Sequence, residues 1–152
     1  MSFVIIGLFW IGHHSVFRWF KRDDRVLLML NLLFLMLIVF VPFPTTVLSD
    51  YGGTRTAVIF YAASLAACAL SLCLLVWYAV SENRLVAEDF DHEMSRHVII
   101  KYLNLSFVFL ASIGVAFINV QAAQYFWILI WVNEVIIERL HRKRMRSPLS
   151  SS

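Results

Sequence analysis

The chain has 152 residues, 61% of them hydrophobic and 15% charged, with a formal net charge of +3 and a mean hydropathy of +0.76. One soluble core of this size cannot hide so much apolar surface, so a water-soluble domain is excluded and much of the chain must face lipid. The basic balance, with a sequence pI near 9.1, points to membrane topology and anionic lipid rather than nucleic acid, because the tail RLHRKRMR has neither the fold nor the aromatic interleaving of a nucleic-acid module.

Five apolar stretches, over residues 2–17, 26–48, 57–80, 98–118 and 122–137, are separated by charged segments. Each approaches the ~20 residues with which a helix crosses ~30 Å of hydrocarbon, the first and last being short. Spanning strands would show short segments of alternating polarity, and none occurs. The prediction is an all-α integral membrane protein with five transmembrane helices, one domain over residues 1–146 and a disordered tail over residues 147–152.

The first stretch, SFVIIGLFWIGHHSVF, meets no charge until Arg18. It lacks the positive n-region and the cleavage site of a signal peptide, so it is expected to stay in the mature protein. On a helical wheel Phe3, Trp10 and Phe17 share a stripe flanked by Ile6, Gly7, His13 and His14. That stripe is expected to face protein, with Gly7 admitting a neighbouring backbone. An imidazole within the bilayer needs a partner, so His13 and His14 read first as interhelical hydrogen-bonding groups and second as proton-sensitive or ion-pathway groups.

In the second stretch Asp24, Asn31 and Ile38 recur every seven residues, and Pro42 returns to nearly the same face. This makes Asn31 a buried interhelical donor and acceptor on one seam. Pro42 and Pro44 remove backbone donors and are expected to end or kink the helix, a helix stop being preferred over a pore vestibule. The small residues of AASLAACALS predict tight packing for the third helix. Cys68 and Cys73 lie five apart without partners for a zinc site, and read as small core residues.

The connector SENRLVAEDFDHEMSRH reads as a solvated cytoplasmic segment whose acids lack the spacing of a calcium site. On the fourth helix Asn104, Ser106, Ser112 and Asn119 are candidate packing contacts. On the fifth, Gln124, Trp127, Trp131, Glu134 and Glu138 step by 3 and 4 to form a polar and aromatic seam. Glu134 is expected to pair with Arg18, Lys21 or Arg25 across the inner face. Trp10, His13, Asp24, Asn31 and Glu134 are thus the expected interhelical polar network. No nucleophile and base constellation or metal-ligand spacing is present, so neither an enzyme nor a cofactor is expected. Haem would need histidines reaching it from opposite sides, whereas only His13 and His14 lie well inside and His97 is at a boundary.

The link from Arg18 to Arg25 carries four Lys/Arg, the connector two, and the tail from Arg139 five, against Arg55 alone on the other side. By the positive-inside bias the N-terminus is outside and the C-terminus cytoplasmic. An odd helix count with an outside start fits either a chain that begins there or one that has lost a preceding helix.

FWIGHHSVF, followed by DDRVLLMLNLLFLMLIVFVPFPTTVLSDYG, resembles the second and third helices of the transmembrane protein 175 family, potassium-permeable channels of animal endosomes and lysosomes and of many prokaryotes. The resemblance is strong over residues 2–52 and continues by helix order, lengths and charge placement. It implies helices two to six of a six-helix repeat, a homotetramer, and a prokaryotic cell membrane as the location. It further implies that His13 would contact an Arg and a Phe-Ser-Asp motif on a pore-lining first helix whose hydrophobic side chains form the constriction. No Phe-Ser-Asp motif occurs in this sequence, so no pore-lining residue can be named, and the expected first helix is read as missing. The leading expectation is a subunit of an oligomeric channel passing potassium ions passively. The alternative is a nonconducting scaffold or partial subunit.

Overall fold

The computed structural model describes residues 2–17, 24–81, 92–125 and Trp127. Among these, every regular element is an α-helix: α1 (Ser2–Phe17), α2 (Arg25–Phe40), α3 (Pro42–Tyr51), α4 (Arg55–Ser81) and α5 (His92–Ile118), followed by a short helical segment over residues 120–125. Three continuous segments, Arg25–Tyr51, Arg55–Ser81 and Ser95–Ile118, are long and apolar enough to cross a membrane, and Phe3–Phe17 is a shorter apolar helix. Most of the fifth stretch, with Trp131, Glu134 and Glu138, lies outside the described residues, as do the tail and much of the connector.

Helix starts follow local side-chain chemistry. Asp24 takes an extended backbone and its Oδ1 accepts the Arg25 N–H at 2.6 Å, capping α2. Thr54 does the same for α4, its Oγ1 accepting the Ala57 N–H at 3.4 Å after the Gly52–Gly53 turn. Asn119 closes α5 and opens the next segment, its Oδ1 accepting the N–H groups of Gln121 and Ala122 at 2.9 and 3.2 Å.

Pro42 does not stop the second span. Val41 keeps a right-handed helical backbone, its N–H bonding Ile38 O at 3.2 Å, and α3 then runs on to Tyr51. Pro42 occupies the first turn of α3, where its missing N–H costs little, and its fixed φ suits the helix. The Thr45 and Thr46 hydroxyls fold back onto Val41 O and Pro42 O at 2.8 and 3.1 Å, giving those carbonyls donors. The expected stop is therefore an interruption within a continuing helical path.

α4 is the centre of the molecule. Its buried positions run from Ala57 to Ala79 and include Ala62, Ala66, Cys68, Ala69 and Cys73. These short side chains let α5, α2 and α3 approach closely, and Ser106 of α5 donates to Ala66 O at 2.9 Å from a fully buried position. The outer face of α2 shows the opposite chemistry: Met29, Leu32, Met36 and Val39 are all exposed. Apolar side chains at that helical spacing would be unfavourable against water but suit lipid.

Candidate functional site

The site is built where α1 crosses α2. α1 buries Phe9 and Val16, with His13 half-buried between them, while Phe3 is 89% and Trp10 58% exposed. The buried stripe therefore lies roughly 100° round the helix from the aromatic stripe expected to face protein. α2 turns Leu27, Phe34 and Ile38 inward, and Asn31 sits on that same face three residues before Phe34.

The two polar groups meet. His13 Nε2–H donates to Asn31 Oδ1 at 2.7 Å, between residues eighteen apart in sequence. The Phe34 ring stacks on the imidazole at 4.9 Å and 10°, and Phe17 covers it at 4.4 Å and 37°. Phe9 in turn packs on Phe34 at 6.4 Å. The contact is thus one hydrogen bond walled by aromatic rings, each such ring pair contributing about 0.5–1.5 kcal/mol beyond simple burial. This arrangement ties α1 to α2 through one side-chain hydrogen bond and a ring stack. His14 turns the other way, exposed and stacked on Trp10 of its own helix at 5.2 Å and 9°.

Asp24 stands at the end of α2, apart from that pair. Besides capping the helix it accepts the Tyr78 hydroxyl on Oδ2 at 2.7 Å, tying the start of α2 to the end of α4. Among the described residues the Trp10 ring stacks on His14 of its own helix, and Glu134 lies outside them. Of the expected network, the structure brings His13 and Asn31 together and sets Asp24 and Trp10 in separate contacts.

Several contacts had no role assigned from sequence. Phe34 and Tyr78 are among them, although Phe34 follows Asn31 by three residues and Tyr78 sits at the helix end where amphipathic aromatic rings concentrate. At the opposite end of the molecule Gln124 Nε2 donates to Gly52 O at 2.7 Å, and Arg55 lies 5.4 Å from the centre of the Phe117 ring. Trp127 Nε1 donates to Ser112 Oγ at 2.9 Å beside Tyr61. The described part of the fifth-stretch seam thus makes contacts with the turn before α4 and with α5. Asn104 and Asn119, by contrast, are exposed. Among the described residues no group of three His, Cys, Asp or Glu could hold a metal ion.

Known proteins are similar to this chain in sequence and in fold. The family model described as "Endosomal/lysosomal potassium channel TMEM175" matches residues 1–42, the segment holding both His13 and Asn31. A potassium channel of Streptomyces collinus is 32% identical over 123 residues, covering 78% of this chain and 60% of its own. A potassium channel of Chamaesiphon minutus is 32% identical over 122 residues with the same coverage. The zebrafish endosomal/lysosomal proton channel TMEM175 is 28% identical over 89 residues, 59% of this chain and 17% of its own. The chain thus spans about 60% of the length of the two bacterial relatives. In fold it is similar to the crystal structure of a lysosomal potassium-selective channel TMEM175 homolog from Chamaesiphon minutus, with a TM-score of 0.72, 23% identity, and coverage of 89% of this chain and 68% of that one. These relatives are channels, not enzymes. In sequence this chain resembles the TMEM175 channel family, and it shares that family's fold.

Proposed function

We propose that the chain is a subunit of a potassium-permeable channel, conducting passively as an oligomer in a prokaryotic cell membrane. The observation that carries this reading is its 32% identity to two bacterial proteins named potassium channels, over 78% of its length in each case. The fold supports it, as do outward faces suited to lipid. In this reading the chain assembles as a tetramer, its N-terminus lies outside and its C-terminus in the cytoplasm, and five helices span the bilayer. His13, Asn31, Asp24, Trp10 and Glu134 serve as the interhelical polar network that sets helix positions.

Purified protein reconstituted into vesicles with an outward potassium gradient tests this. The expected result is a potassium efflux, absent from empty vesicles, that continues once an ionophore dissipates the proton gradient. A flux of protons alone would align the chain with the activity in the zebrafish relative's name. No flux would favour a nonconducting subunit.

A further inference from the structure

We propose that Tyr102 of α5 is a positioning residue for the His13–Asn31 pair, acting through the close approach of its hydroxyl to the α1 backbone at Gly12. The inference rests on the proposed reading that this pair sets the position of α1.

Gly12 immediately precedes His13 and lies on the side of α1 turned toward α4 and α5. A Cβ at Gly12 would overlap the Tyr102 hydroxyl, with Tyr102 Cζ at 3.2 Å and Leu72 Cδ2 at 3.9 Å. Gly7, where a close backbone approach was expected, has no described residue within 4 Å of such a Cβ. Of the two α1 glycines, it is thus Gly12, one residue from the imidazole, that meets a close neighbour. Gly12 is needed there because no other residue leaves room for the phenol oxygen.

Tyr102 cannot simply yield. It is 8% exposed and belongs to the same core cluster as Phe9, Phe34 and Leu72. Within that cluster Phe34 is the ring stacked on His13, so the phenol and the wall of the pair belong to one buried core. α1 is therefore held from two directions: by Asn31 and Phe34 of α2, and by Tyr102 of α5. A side chain at position 12 pushes α1 off α5. The His13–Asn31 contact, at 2.7 Å, is already at the short end for N–H···O. It cannot shorten further, and lengthening by about 1 Å takes it out of bonding range. Either displacement breaks the present geometry, so the spacing set by Tyr102 is transmitted to the imidazole.

The test is nitrogen NMR of histidine-labelled full chain in micelles, with the His13 signals identified by their loss in His13→Gln. Gly12→Ala is expected to abolish the hydrogen-bonded Nε2–H signal of His13, and Gly7→Ala to leave it unchanged. Gly12→Ala combined with Tyr102→Leu, which removes both the overlapping oxygen and the ring carbon behind it, is expected to restore it. A retained signal in Gly12→Ala, or a double variant as impaired as the single one, overturns the proposal. Should Gly12→Ala fail to fold, recovery of folding and signal in the double variant supports it, and failure of both overturns it. Vesicle flux is scored separately: absent flux with an intact NMR pattern counts against the channel reading alone, and intact flux with the pattern broken counts against the positioning role alone.

Discussion

At His13 the energetics turn on what remains when one partner is removed. Asn31→Leu leaves an imidazole N–H facing Phe17 and Phe34 without its acceptor, and costs about 1–3 kcal/mol. The His13→Phe and Asn31→Leu double variant leaves no orphan. It should therefore lose less than the sum of the singles, with a coupling of about 0.6 kcal/mol, the average for interhelical hydrogen bonds in membranes, and at most about 1.7 kcal/mol. Thermal unfolding of the four proteins in micelles measures this cycle, and strict additivity would contradict a shared hydrogen bond. Both members of the pair were legible in the sequence, because a polar ring and an amide in apolar helices must each find a partner. The walls around them were not. Hydropathy scores Phe34 and Leu33 alike, and only the actual crossing of α1 and α2 turns the first inward and leaves the second exposed. The aromatic stripe through Phe3 and Trp10 is exposed within this chain, since periodicity gives the faces of a helix but not which face a neighbour covers.

Among the elements, α4 carries the fold. Its run of Ala, Ser and Cys predicted close packing, and the structure places it at the centre, with α5 and α2 drawn against its short side chains. A bulky residue there has nowhere to go. Ala69→Leu, at a site with no exposure, should destabilise by about 1–3 kcal/mol through overpacking, while Leu74→Ala on the exposed face should change stability by no more than about 0.5 kcal/mol. Comparing the two melting temperatures in micelles checks this, and equal losses would remove α4 from its central role. The path through Val41 and Pro42 was only partly readable. Proline announces lost donors, but whether a helix resumes depends on what the following residues supply. Here a proline already suited to a first turn follows Val41, whose own N–H takes the Ile38 carbonyl in place of the missing donor.

For the whole molecule, apolar lengths and charge placement indicated a helical membrane protein, and the three long apolar helices follow the three longest predicted spans. The packing order around α4 was not legible, because five apolar helices of similar composition can be arranged in many ways that satisfy hydropathy equally. The lipid-suited face of α2 and the interhelical contacts at both ends of the molecule suit a membrane domain that holds its helices in fixed relation. The resemblance to TMEM175 channels gives that arrangement its proposed task. Electrical recording from purified protein in a planar bilayer, with unequal potassium concentrations on the two sides, tests it most directly. Discrete current steps that reverse near the potassium equilibrium potential are the expected result. A bilayer that stays silent, or steps that reverse at the potential of another ion, would contradict it.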